Sequence, residues 1–186
     1  AEIYQRWARN RGLSTKEIKR FKDLLRIAAM LHDVGKVGIP DAILKKSGPL
    51  SKEEFKIMKL HTVYGARLFF NSNSELDKMC FDIAANHHEK WNGTGYPGHI
   101  ENISADEVVF GAPKKGEEIP LAARITALAD VYDALSSKVD PEEGWSEEKV
   151  FSRIKKESGQ YFDPDIVEAF FQILDVVKAI KERFRD

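Results

Sequence analysis

His32-Asp33, His61 and the tandem His87-His88 gather four of the five histidines of this chain into groups with the chemistry of metal ligands. Neutral imidazole and carboxylate both bind divalent iron, manganese or zinc, and a carboxylate can also bridge two ions. A single His-Asp dipeptide arises readily by accident, and one histidine on an apolar face is usually a core residue. Two in tandem, with a third at helical phase and a His-Asp elsewhere, are harder to assign to the core. Lys36 follows Asp33 in a glycine turn, where an ammonium group can approach a metal-held phosphate oxygen. Glu89 adjoins the tandem pair and is placed to orient one of its rings. Asn92-Gly93-Thr94-Gly95-Tyr96-Pro97 adds flexible backbone, a ring that can stack on a base, and a rigid end. Together these residues predict metal-assisted phosphate chemistry.

The elements that must position them are helical. Ser14 and Glu17 form a capping box ahead of Ile18, Phe21, Leu24, Leu25, Ala28 and Leu31, so His32 and Asp33 fall at the C-terminal end of that helix. Gly35, Gly38 and Pro40 turn the chain, and Ser51 with Glu54 opens a helix carrying Phe55, Met58 and His61 toward Leu68. Leu76, Met79, Cys80, Ile83, Ala84 and His87 recur at spacings of three and four, which puts His87 on the buried face and His88 about 100° around from it. Asn92 to Pro120 is rich in glycine and proline with a polar insertion, His99 to Glu118, and forms a loop longer than the usual ~12–15 residues, a length that marks function or disorder. A further helix carries Leu121, Ile125, Leu128, Tyr132 and Leu135 with Asp130 and Asp133, and Ser146 opens another with Val150, Phe151 and Ile154. Asp163 with Pro164 at the first helical position begins the last one, burying Ile166, Val167, Phe170, Leu174 and Val177. Strand alternation and internal repeats are not evident, so the expected fold is all-α.

At 186 residues, 42% of them hydrophobic, the chain can bury the core of one domain. Its 29 lysines and arginines nearly balance 30 acidic residues, which gives no general attraction to nucleic acid polymers or an anionic membrane. Cys80 is the only cysteine, so an internal disulfide framework and multi-cysteine metal sites are excluded, and a reducing, cytoplasmic setting is expected. No apolar run approaches the roughly 20 residues needed to span a bilayer. Ala1 to Asn10 reads as the end of a helix begun upstream. The expected organisation is one domain, residues 1–186, cut from a longer protein.

Longer motifs sharpen this reading. His32-Asp33-Val34-Gly35-Lys36-Val37-Gly38-Ile39-Pro40-Asp41, the His61 helix, His87-His88-Glu89-Lys90-Trp91-Asn92-Gly93-Thr94-Gly95-Tyr96-Pro97, and Ile119-Pro120-Leu121 leading to Ala129-Asp130-Val131-Tyr132-Asp133-Ala134-Leu135 resemble the HD-GYP family. This is a branch of the HD superfamily of metal-dependent phosphohydrolases. The likeness runs from about Gly12 to Phe171 and includes Gly159-Gln160-Tyr161-Phe162-Asp163-Pro164. It implies a helical bundle holding two or three divalent ions, iron or manganese, and phosphodiesterase activity that opens the bacterial messenger cyclic di-GMP to linear pGpG or GMP. Carried over residue by residue, it assigns His32, Asp33 and Asp130 to one ion and His61, His87 and His88 to a second. Asp33 bridges the two, and Lys36 contacts the scissile phosphate. Two ions ~3.5–4 Å apart suit an in-line displacement at phosphorus. Docking of a diguanylate cyclase domain on the Gly-Tyr-Pro surface, and pairing of two chains through terminal amphipathic helices, are further expectations.

Three departures from the family pattern bear on function. The family carries another ligand histidine on the helix before the position of Gly12, and its spacing falls ahead of residue 1. Val139-Asp140-Pro141-Glu142 stands where the family has Arg-Pro-Tyr-Arg or Lys. Each lost cation removes a charge-assisted phosphate contact of roughly 1.5–3 kcal/mol. The segment from Gly98 to Glu118 is longer than the family's link. Its Lys114 and Lys115 are candidate replacement cations for substrate, although loop lysines normally face water. The first departure predicts an incomplete first site, and the second keeps two rivals open: a signalling module that binds nucleotide or a partner without hydrolysis, and a hydrolase of another phosphoester.

Overall fold

A computed structural model describes residues 1–137 and 146–183, and it is helical throughout, as expected. In chain order the helices are α1 (Glu2–Asn10), α2 (Thr15–Met30), α3 (Asp41–Leu44), α4 (Lys52–Lys59), α5 (His61–Arg67), α6 (Glu75–Asn86), α7 (Leu121–Ser136), α8 (Glu147–Lys156), α9 (Pro164–Phe171) and α10 (Leu174–Arg183). The only β pairing among the described residues is the isolated bridge between Ser158 and Phe162. Among the described residues no helix is long and apolar enough to cross a membrane.

The sequence signals account for four helix starts. Ser14 and Ser51 both close complete capping boxes, with Glu17 and Glu54 returning a side-chain bond to the cap backbone. Ser146 and Asp163 cap α8 and α9. Ser51→Ala should therefore cost about 1 kcal/mol of stability, seen as a lower urea midpoint at unchanged slope.

Two expected helices are each broken in two. The helix running from Ser51 toward Leu68 stops at Leu60, because side chains take the carbonyls its next turn would need. His61 Nδ1 bonds Met58 O at 2.6 Å, and Thr62 Oγ1 donates to Lys59 O at 2.9 Å. The last helix turns at Gln172-Ile173, where Ile173 N–H bonds Phe170 O instead of continuing the regular ladder.

One core joins α1, α2, α6, α7, α8 and α9 through Tyr4, Leu25, Ile83, Leu128, Ile154 and Phe170. A smaller one sets Val63 and Ala66 of α5 against Ala84 and Ala85 of α6, and Ile103 from the long loop completes it. That loop is thus folded onto the two helices that carry His61 and His87.

Candidate metal centre

After Leu31 caps α2, a tight 3-10 turn, Val34–Gly38, lays the chain against α5 and brings Asp33 beside His61. The end of α6 presents His87 as its C-cap and His88 one residue later. Asp33 stands at the centre. Its Oδ1 is 3.4 Å from His61 Nε2 and 3.7 Å from His87 Nε2, while its Oδ2 is 3.3 Å from His32 Nε2 and 2.5 Å from Lys36 Nζ. His32 Nε2 also lies 3.5 Å from Asp130 Oδ1 on α7. Asp33, His61, His87 and His88 each offer a ligand atom, all within 4.8 Å of one another.

The ring orientations follow from local backbone. Nδ1 of His32 bonds Ala29 O, Nδ1 of His61 bonds Met58 O, and Nδ1 of His87 faces Ile83 O and Ala84 O. Donation to a carbonyl keeps the proton on Nδ1 and turns Nε2 inward as a ligand atom. His61 and His87 are each only 1% exposed. His32 Nε2 and Asp33 Oδ1 are buried without a hydrogen-bond partner, each a cost of about 1–3 kcal/mol that a cation in the cluster would offset. The donor set of imidazoles and carboxylates fits divalent iron, manganese or zinc.

Without an ion these groups oppose one another electrostatically. Burial, then the charges of His87 and His61, push His88 down to about 2. Burial, with His87 adding, also lowers His61. His32 moves the other way, to about 10, through its contacts with Asp130 and Asp33. Burial alone would raise Asp33, but the close approach of His32, His87 and Lys36 together holds it well below the usual carboxylate range. The raised His32 stabilises the ion-free fold fully below about 6.5, its unfolded value, and that stabilisation disappears as pH rises to about 10. The depressed His88 has the opposite sign, with stability lost as pH falls from about 6.5 to about 2. Thermal midpoints of ion-free protein should therefore fall on both sides of about pH 6.5, and His32→Ala should remove the alkaline fall. A midpoint in His32→Ala that still falls in parallel above pH 7 would contradict this.

The other expected site residues are placed as follows. Tyr96 lies over His88 with ring centroids 4.8 Å apart and planes at 26°, and Lys59 Nζ is 5.1 Å from its ring centroid. Burial and the charges of Tyr161, Asp33 and Asp130 raise its hydroxyl, so it stays protonated. Lys114 donates its ammonium to Asn86 Oδ1 at 2.7 Å. Lys115 is exposed and packs against Gly93. Val139 and Glu142 lie outside the described residues.

Glu89 differs from the sequence expectation. It does not orient an imidazole; it accepts from the backbone N–H groups of Gly98 and Lys114. Tyr161 was not singled out from the sequence, yet its hydroxyl is raised by burial and by Asp130, and Lys90 Nζ lies 4.9 Å from its ring centroid. Its place in the Gly159-to-Pro164 motif was the available signal.

A family model described as HD domain matches residues 1–135. The chain belongs to the HD domain family. The more specific HD-GYP resemblance is borne out by its relatives. A cyclic di-GMP phosphodiesterase of Vibrio cholerae is 42% identical over 178 residues, covering 93% of this chain and 33% of that protein. A 3'3'-cGAMP-specific phosphodiesterase of the same organism is 37% identical over 182 residues, 98% of this chain and 31% of its own length. A cyclic di-GMP phosphodiesterase of Thermotoga maritima is 38% identical over 162 residues, 87% of this chain and 40% of its own. The chain thus spans about a third of the length of these relatives. A solved cyclic GMP-AMP specific phosphodiesterase of Vibrio cholerae shares the fold, with a TM-score of 0.55 at 22% identity over 96% of this chain and 44% of that one.

Proposed function

We propose that this HD domain is a metal-dependent phosphodiesterase acting on a cyclic dinucleotide, with cyclic di-GMP its most suitable substrate. The observation that carries the reading is the Asp33 carboxylate, whose two oxygens face two different groups, His61 and His87 on one side and His32 on the other. That is the arrangement a bridging carboxylate needs. His32, Asp33 and Asp130 would hold one divalent ion, and His61, His87 and His88 the other, with Asp33 shared. Iron or manganese suits this donor set, and two such ions supply activation of water and charge neutralisation at a phosphodiester. The relatives named for cyclic di-GMP and 3'3'-cGAMP support the substrate class.

Hydrolysis adds water across one P–O3' bond: hydroxyl to phosphorus, hydrogen to the departing 3' oxygen. The protein's part is orientation and charge. Lys36, 41% exposed and paired with Asp33, stands where an ammonium can meet a non-bridging phosphate oxygen. Tyr96, stacked on His88, presents an aromatic face for a purine. Lys36→Met should lower kcat by about 10²-fold while ion content, counted on the same sample, stays unchanged.

The decisive test is turnover of cyclic di-GMP and 3'3'-cGAMP by protein loaded anaerobically with ferrous iron or manganese. Production of linear dinucleotide supports the proposal and ranks the two substrates. Full ion occupancy with neither substrate opened would overturn it in favour of another phosphoester or a regulatory module.

A further inference from the structure

Glu89 is a carboxylate buried to 2% exposure, and none of its hydrogen bonds goes to a histidine. Oε1 accepts from Gly98 N–H at 2.5 Å and Oε2 from Lys114 N–H at 3.2 Å. Those two amides are the two ends of the 98–114 strap. Its neck is a backbone-to-backbone crossing: His99 N–H bonds Ala112 O at 3.0 Å, and a Cβ on Gly111 would stand 1.9 Å from His99 O. Gly98, at φ +80°, leaves equally little room, with Ala112 O 2.4 Å from where its Cβ would be.

The body of the strap is tied down elsewhere. Ile103 is buried against α5 and α6, and Arg67 holds the carbonyls of Ile103 and Ala105. On the other side of the neck lies the turn that carries Tyr96. Tyr96 N–H bonds His88 O at 3.2 Å, and Gly95 packs so tightly that a Cβ there would be 2.4 Å from Glu89 Cα. Glu89 therefore closes the His88-to-Gly98 turn and the strap with one group. Burying a carboxylate is costly unless such bonds compensate it.

We infer that Glu89 is a positioning residue for the dinucleotide: its carboxylate latches both ends of the 98–114 strap and so holds Tyr96 stacked on His88 at the site. The inference deepens the proposed function and rests on it for the identity of the ligand. Glu89 acts through Tyr96, without touching the ions or the scissile phosphate. Its loss should weaken substrate binding and leave ion loading intact.

The test combines amide hydrogen exchange of the ion-loaded protein with KM and kcat for cyclic di-GMP, in Glu89→Ala and Gly111→Ala. The second variant opens the neck without altering Glu89. In both, the Gly98, Lys114 and Tyr96 amides should exchange about tenfold faster or more, while those of α2 and α7 are unchanged. KM should rise about tenfold, the loss of one stacking contact, with kcat and ion content within about twofold. Glu89→Gln, which keeps one acceptor oxygen, should fall between. Unchanged Tyr96 exchange and KM in both variants would overturn the latch, as would loss of ions in proportion to loss of turnover. If the unsubstituted protein does not open cyclic di-GMP, the substrate reading fails, and Tyr96 exchange alone then decides the latch.

Discussion

Asp33→Ala should reduce cyclic dinucleotide turnover by at least about 10³-fold, some 4 kcal/mol, and should empty the site of ions in the same sample. Its carboxylate spans both halves of the cluster: Oδ1 faces His61 and His87, and Oδ2 faces His32 and Lys36. Removing it costs each half a ligand and releases Lys36 from its ion pair. His32→Ala should resemble it in turnover, since it removes the imidazole lying between Asp33 and Asp130. Stability of the ion-free protein separates this result from unfolding. Asp33→Ala removes a carboxylate held low in the fold, so it should lose acid sensitivity there and remain cooperatively folded at neutral pH. Wild-type turnover in Asp33→Ala at full ion content would defeat the bridging role altogether.

The second large effect is one of packing. Gly35→Ala should cost about 3 kcal/mol or more of stability and should disable the site even where the protein folds. A Cβ at Gly35 would lie 2.0 Å from His61 O, 2.3 Å from Gly65 N and 2.9 Å from Gly65 Cα. All three are backbone atoms of α5, which cannot swing aside as a side chain can. The turn bearing Asp33 and Lys36 would have to lift from the helix bearing His61. Gly48→Ala is the matched control, because nothing lies within 4 Å of its added methyl. Denaturant midpoints should differ widely between the two variants. Equal midpoints would show that the contact between turn and helix is not what sets the Asp33 position.

Sequence patterning was informative wherever the determining physics is local. The serine caps of α2 and α4, the buried stripe of α6 and the proline start of α9 are decided within a turn or two of chain, and all stand where the spacing puts them. The breaks at Leu60 and at Gln172-Ile173 were not legible. An apolar repeat continues in register across both, and at Leu60 the interruption comes from His61 and Thr62 capturing carbonyls. Glu89 departs from its expected contact for a related reason. Adjacency to two histidines suggested a contact with them, whereas its bonds go to amides 9 and 25 residues away.

The sequence by itself determined the ligand chemistry: which imidazoles and carboxylates are present, the helix ends they occupy, and the long motifs that mark the HD-GYP resemblance. Tertiary structure decided how they meet. The contact of Gly35 with α5 brings a carboxylate from one helix end to histidines of two others, and α7 adds Asp130 from across the bundle. It also decided that the long loop is a strap folded onto α5 and α6, because Ile103 and Arg67 find partners there that no local pattern announces. Short-range hydrogen bonding and periodicity are written in neighbouring residues; close backbone approach and the pairing of distant side chains arise only once the helices pack.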